Sequence, residues 1–181
     1  MISFNQFFND NTKEKIAIMP GAYKPPHKGH FNAYENLLDN ADKGIIPVSK
    51  SSRDEITGEQ SKAIWEIYKR YYKKPVDVVL CDKSPVTAMY DFINGNKDKN
   101  IFVGVGEKAN DNDRFKWLEK RIDEFPNVAI MELSLECEGI SGTDVRKRIQ
   151  DRDPSVIDFF VPDIVVGTDR SEIARILAIN K

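Results

Sequence analysis

The chain holds two histidines, and both stand in one decapeptide, Gly21-Ala22-Tyr23-Lys24-Pro25-Pro26-His27-Lys28-Gly29-His30. Imidazoles three residues apart can donate to one anion and stabilise charge that develops on it. The same spacing can be half of a metal site. No third histidine exists and neither cysteine is near in sequence, so carboxylates would have to complete a zinc site. A purely structural reading, histidines that cap a helix, leaves the surrounding residues without a reason. Gly21 permits a tight turn, Pro25-Pro26 stiffens the loop, and Gly29 lets a ligand approach the backbone. His30 is expected to open a helix whose free amides and dipole favour a phosphate.

A second constellation lies about 110 residues further on: Glu138-Gly139-Ile140-Ser141-Gly142-Thr143-Asp144-Val145-Arg146. Ser141 is a good N-cap, and Ser141-Gly142-Thr143 offers hydroxyls and accessible amides at a helix start. Arg146 is one turn later, and its planar fork can fold back toward the same anion. Alone, this is also what a capped helix with a surface arginine looks like. A third stretch, Gly104, Gly106 and Ala109, spells the dinucleotide fingerprint Gly-x-Gly-x-x-Ala. That fingerprint belongs after a first strand, with an acidic residue ending the next strand. The next candidates here, Asp123 and Glu124, fall in a helix-period segment, so an oxidoreductase is rejected. No Gly-x-x-x-x-Gly-Lys-Ser/Thr occurs, which rejects a P-loop kinase.

These residues need a scaffold. Short β-branched apolar runs at Lys15–Met19, Gly44–Val48, Val76–Cys81, Asn100–Val105 and Val128–Leu133 read as strands, apolar throughout. Amphipathic segments at 28–39, 57–73, 85–94 and 112–124 alternate with them, and two short helices at 154–160 and 170–179 close the chain. Thr57 with Gln60 forms a capping box, and Ser84-Pro85 and Asp153-Pro154 are further helix starts. Alternation of this kind implies parallel strands with right-handed crossovers and a sheet covered on both faces. Ligands of such sheets bind beyond the carboxyl ends of the strands.

The decapeptide resembles the Gly-x-Phe-x-Pro-x-His-x-Gly-His signature of the nucleotidylyltransferase superfamily, with Tyr23 in the aromatic position. The later stretch resembles its second signature, Ile-Ser-x-Thr-x-x-Arg, over Ile140–Arg146. Asn100–Gly106 with Glu107 is similar to the family's fourth strand, which ends near base and ribose. The resemblance spans roughly residues 15–150. It implies a Rossmann-like, doubly wound, five-stranded α/β fold: a segment 1–14, a nucleotidylyltransferase domain 15–150 and a C-terminal helical extension 151–181.

It also implies transfer of a nucleoside monophosphate from a nucleoside triphosphate to a small phosphate-bearing acceptor. His27, His30 and Arg146 would be catalytic, with Lys24 or Lys28 assisting. Gly21, Tyr23, Lys24, Gly29, Gly104, Gly106, Glu107, Ser141, Gly142 and Thr143 would bind the nucleotide. Lys24 stands where many members have Asp or Gln, a departure that bears on acceptor contacts. Mg²⁺ would be carried on the phosphates without a protein carboxylate cage. Pro25 and Arg146 look like nicotinamide-mononucleotide adenylyltransferases, whereas Glu138–Ser141 with Asp144 resembles cytidylyltransferases. ATP is the favoured donor and CTP the second. Acceptor contacts are expected in the loops Ser49–Ile56 and Asp82–Tyr90, with Lys50 or Arg53 holding a phosphate. A nucleotide sensor without catalysis is the alternative of another class, and an RNA-binding relative of class I aminoacyl-tRNA synthetases is a third.

Net charge is −2 with acids and bases interspersed, so neither nucleic acid nor a membrane is expected as a partner. Lys69-Arg70-Tyr71-Tyr72-Lys73-Lys74 is the most basic stretch and reads as the solvated end of a helix. No run approaches the roughly 18 apolar residues of a membrane span, and the start lacks a secretory pattern. Cys81 and Cys137 sit in apolar runs and read as buried, reduced thiols of a cytoplasmic protein. Ile2, Phe4, Phe7 and Phe8 suggest a short amphipathic helix, and self-association is left open.

Overall fold

A computed structural model describes residues 12–106, 115–116, 118–134 and 139–179. Strands β1 (Lys15–Ile18), β2 (Lys43–Ser49), β3 (Val76–Cys81), β4 (Asn100–Gly106) and β5 (Val128–Leu133) form one sheet, order β3-β2-β1-β4-β5, parallel throughout. Chain order reverses between β1 and β4, which pair from Lys15↔Asn100 to Ile18↔Val103. A crevice is therefore expected at their carboxyl ends. The helices among the described residues are α1 (Lys28–Leu38), α2 (Gly58–Tyr68), α3 (Pro85–Gly95), α4 (Gly142–Gln150), α5 (Val156–Phe160) and α6 (Thr168–Ile176).

Side chains of a strand alternate between faces, and the core divides accordingly. Ala17, Met19 and Phe102 pack with Phe31, Tyr34, Trp65 and Tyr68 of α1 and α2 and with the C-terminal helices. Ile18, Ile101, Val103 and Val105 face the other way, against Met89 and Ile93 of α3 and Phe115 and Leu118. Apolar residues throughout suit β4. They do not describe β3, an edge strand where Asp77 and Val79 are exposed between buried Val76, Val78 and Cys81. Burial raises the Cys81 thiol above its ordinary range.

Several helix limits differ from those expected. His27 is the N-cap of α1, so the helix opens at Lys28 and His30 lies inside its first turn. α2 ends at Tyr68 and a 3₁₀ turn covers Lys69–Tyr71. α5 begins two residues beyond Pro154, because the Asp153 carboxylate accepts from the Ser155 amide (2.9 Å) and hydroxyl (2.7 Å) and holds a turn first. Of the segment 112–124, residues 115–116 and 118–120 are helical and Ile122–Glu124 is a 3₁₀ turn. The N-terminal hydrophobic segment, Ala109, Cys137 and Glu138 lie outside the described residues.

The capping box of α2 is present, Thr57 N–H on Gln60 Oε1 (2.8 Å) and Gln60 N–H on Thr57 Oγ1 (3.1 Å). The Gln60 amide nitrogen also donates to the Ile176 carbonyl at the end of α6 (2.8 Å), tying the C-terminal helices to α2. The basic–aromatic stretch has similar work. Arg70 and Tyr71 both donate to Asp169 of α6 at 2.8 Å, and Tyr72 stacks on Phe31 with centroids 4.6 Å apart. Lys74 Nζ donates to the carbonyls of Leu38 (3.0 Å), Asp39 (2.9 Å) and Ala41 (2.7 Å), placing a cation on the negative end of α1. No described helix is long and apolar enough to cross a membrane.

Candidate active site

A cleft of about 280 Å³ opens at the carboxyl ends of β1 and β4. It is lined by Met19–Pro25, by His27 and His30 of the α1 start, by Gly104–Gly106, and by Ile140–Thr143 with Arg146 of the α4 start. The two sequence motifs, about 110 residues apart, thus share one space. Val86, Phe115 and Ile140 add apolar walls and Arg53 adds a cation.

The histidine wall is built from the turn before it. Gly21 extends the sheet pairing, its amide donating to the Pro47 carbonyl (3.1 Å) and its carbonyl accepting from Ser49 (3.0 Å). Tyr23 has a positive φ of 52°, which folds its ring back over Gly21. A Cβ at Gly21 would come within 2.5–2.8 Å of three Tyr23 ring atoms, so no side chain fits there. The Tyr23 hydroxyl donates to the Met19 carbonyl (2.5 Å), and its ring meets His30 edge-on at 5.1 Å and Trp65 at 5.2 Å. Tyr23 therefore supports His30 from beneath.

His27 is buried and its ring lies 3.8 Å from that of His30. The His27 backbone N–H donates to His30 Nδ1 (3.2 Å). With Nδ1 an acceptor, the proton of a neutral His30 ring resides on Nε2, which is then a donor. Both imidazoles stand at the positive end of α1, where an anion is favoured.

Lys24 is buried, at 4% exposure. Its Nζ donates to the carbonyls of Ala22 (2.7 Å) and Ser49 (2.9 Å), holding the motif loop to the end of β2. Burial brings the ammonium down to about 8, with Glu59 opposing the shift and Arg53 adding to it. Its peptide bond to Pro25 is cis.

Ser141 caps α4, accepting from the Asp144 amide (3.2 Å) and donating to the Asp144 carboxylate (2.5 Å). The Arg146 guanidinium does fold back over the helix start. It donates through Nη2 to Thr143 Oγ1 (3.1 Å), through Nη1 to the Lys24 carbonyl (2.8 Å) and through Nε to Asp54 Oδ2 (2.6 Å). A Cβ at Gly142 would lie 3.2 Å from Nη1, so the guanidinium passes close over the glycine.

Other expected residues are placed differently. Gly29 is buried inside the first turn of α1 and is not among the cleft walls. Gly104 lines the cleft, but packing also demands it: a Cβ there would meet Leu133 Cδ1 at 2.6 Å and Leu37 Cδ2 at 2.8 Å. Lys50 stands outside the cleft, paired with Asp82 at 2.9 Å, each partner stabilising the other's charge. Of the two loops expected to hold an acceptor, one gives Arg53 and the other Val86. Glu107 lies outside the described residues. Among the described residues no three His, Cys, Asp or Glu side chains could hold a metal together, so a zinc reading of His27 and His30 gains no completing ligands there.

Asp54 was not foreseen. It sits in a two-residue turn whose flanking Arg53 and Ile56 exchange both backbone hydrogen bonds at 3.0 Å. Asp54 and Glu55 both have positive φ, 48° and 68°. Such turns usually announce themselves by Asn-Gly or Asp-Gly. Asp-Glu gives no such signal.

The architecture recurs in solved structures, 85 chains of which match. A Vibrio parahaemolyticus protein provisionally assigned as a nicotinate-nucleotide adenylyltransferase aligns with TM-score 0.61 at 18% identity, covering 88% of this chain and 98% of that one. Plasmodium falciparum nicotinic acid mononucleotide adenylyltransferase complexed with APC aligns at 0.59 and 12% identity, covering 92% and 98%. The chain has their fold. A bifunctional NMN adenylyltransferase/ADP-ribose pyrophosphatase of Francisella tularensis, complexed with AMP and a Mn ion, aligns at 0.54 and 14% identity. There the match covers 91% of this chain and 51% of the larger protein. No protein-family model matches the chain, and no curated protein does. Within this fold, the cleft lies at the switch point between β1 and β4.

Proposed function

We propose that the chain is a nucleotidylyltransferase that moves AMP from ATP onto the phosphate of a small acceptor, with nicotinamide mononucleotide or its nicotinate analogue first in order. One observation carries this reading: His27 and His30 at one helix start, and Thr143 and Arg146 at another, line the same cleft. Adenylyltransferases of pyridine mononucleotides among the structures of like fold support the choice of donor and acceptor.

The chemistry asks for charge placement more than for proton transfer. An ionised phosphate oxygen of the acceptor bonds to the α-phosphorus, the bond to the bridging oxygen breaks, and pyrophosphate leaves with the electron pair. Acceleration then comes from holding the two phosphates in line and from donors aimed at the oxygens that gain charge. His30 Nε2–H and the His27 ring, at the positive end of α1, would face the α-phosphate. The amides of Gly142 and Thr143 and the remaining N–H groups of Arg146 would hold the departing pyrophosphate. Arg53 would take the acceptor phosphate. A divalent cation, Mg²⁺ in the first place, would be carried on the phosphates of the nucleotide. Bound there, the cation would neutralise phosphate charge.

Pyrophosphate release tests the proposal across ATP and CTP, each paired with nicotinamide mononucleotide, nicotinate mononucleotide, phosphocholine and glycerol phosphate. ATP with a pyridine mononucleotide should give the fastest release. Preference for CTP with an alcohol phosphate would replace the adenylyl reading by a cytidylyl one. ATP binding without release from any pair would leave a nucleotide sensor.

A further inference from the structure

We infer that Asp54 is a positioning residue of this site, acting on the phosphates through Arg146; the inference rests on the nucleotidylyltransferase reading above. A guanidinium has five N–H hydrogens. Three are engaged here by the Asp54 carboxylate, the Lys24 carbonyl and the Thr143 hydroxyl, at 2.6, 2.8 and 3.1 Å. Two remain, one on each terminal nitrogen, which is the pair a phosphate accepts in a bidentate contact. The three contacts come from three separate parts of the chain: the loop after β2, the loop after β1 and α4 itself. Together they fix the plane of the fork, which a single ion pair would leave free to rotate.

Asp54 supplies the charged member of that set and is the one drawn from the most strained segment. Its side chain is half exposed, whereas that of Arg146 is 9% exposed. The carboxylate therefore reaches inward from the surface to a buried cation. The turn that presents it keeps two consecutive non-glycine residues at positive φ. Backbone of this kind persists where surrounding contacts over-determine it, and it gathers at functional sites. The same turn sets Arg53 in the cleft wall, so one hairpin aims a cation at the ligand and a carboxylate at the clamp behind it. The loop expected to meet the acceptor and the helix expected to hold pyrophosphate are thereby joined.

Asp54→Gly is the informative variant, because glycine accepts the positive φ of the turn while the carboxylate is removed. Pyrophosphate release from ATP and nicotinamide mononucleotide should show kcat reduced about tenfold or more, with KM for ATP changed less than about threefold. Asp54→Asn keeps an oxygen facing Nε–H and tolerates the same φ, so it should recover most of the loss. In an Arg146→Ala background, where nothing is left to orient, Asp54→Gly should add less than about a twofold effect. Wild-type kcat in Asp54→Gly overturns the inference, as does a loss undiminished in the Arg146→Ala background. Faster turnover in Asp54→Gly would also overturn it, by making Asp54 a competitor of the bound anion. A wild-type protein that releases no pyrophosphate refutes both this inference and the functional reading, whereas an active wild type with an indifferent Asp54 refutes the inference alone.

Discussion

Gly21→Ala tests the support beneath His30 most directly. The new Cβ would lie 2.5 Å from the nearest Tyr23 ring atom, and ordinary contact begins near 3.4 Å, so the ring must retreat by about 0.9 Å. Retreat is opposed on three sides. The hydroxyl is bonded to the Met19 carbonyl, and Trp65 and His30 each face the ring at about 5 Å. Overpacking of this kind typically destabilises by about 1–3 kcal/mol. For a chain of this length that is a fall in Tm of about 2–12 °C. If half or more of the displacement reaches His30, turnover should fall about tenfold to a hundredfold, since misplacement of ~1 Å costs ~10². Tyr23→Phe is the control: the ring stays, one hydrogen bond of about 1 kcal/mol is lost, and turnover should stay within about threefold. Melting curves and pyrophosphate release read both effects. A Gly21→Ala protein with wild-type Tm and kcat would refute the reasoning, because the ring would then be free to move.

Three further outcomes are expected. His30→Ala should reduce turnover by ~10²–10³, as for loss of one preorganised donor, with Tm lowered by only about 2–4 °C through the lost hydrogen bond to the His27 amide; near-normal turnover would remove His30 from the mechanism. Lys24 releases its proton at about 8 when folded and at its ordinary 10.5 when unfolded. Across pH 8–10.5 the unfolded chain thus binds more protons, and the free energy of unfolding should rise with pH relative to Lys24→Met, a trend absent below pH 8. Urea titrations at pH 7, 8.5 and 10 measure it, and a constant difference between the two proteins would contradict the buried ammonium. Lys74→Met should destabilise by about 1–2 kcal/mol through loss of the cation and its hydrogen bonds at the C-terminal end of α1, with ATP affinity unchanged; an unaltered denaturation midpoint would show those bonds to be idle.

The strands and the meeting of the two motifs were legible because each depends on local pattern. Apolar β-branched runs mark Val76–Cys81 and Val128–Leu133 to the residue, and strand–helix alternation brings every motif loop to one edge of the sheet. The limits lie where a side chain's role is set by remote backbone. Nothing in Tyr23-Lys24-Pro25 says that the lysine turns inward onto the Ser49 carbonyl, 25 residues away. Lys50 and Arg53 look alike as loop cations; the tight turn at 53–56 sends one to the cleft, and Asp82 holds the other outside. Asp54 was hidden for the same reason, its partner being 92 residues distant. The edge position of β3 was concealed by composition, since four apolar residues surround one aspartate in Val76–Leu80.

That aspartate has a consequence for the behaviour of concentrated protein. An outermost strand offers an open row of amides and carbonyls to any passing chain. With an apolar residue in place of Asp77 the rim Val76–Leu80 would be apolar without interruption, the composition from which fibrillar stacks grow. A solvent-exposed carboxylate at the second position of the strand interrupts that apolar run and disfavours in-register stacking of the rim on copies of itself.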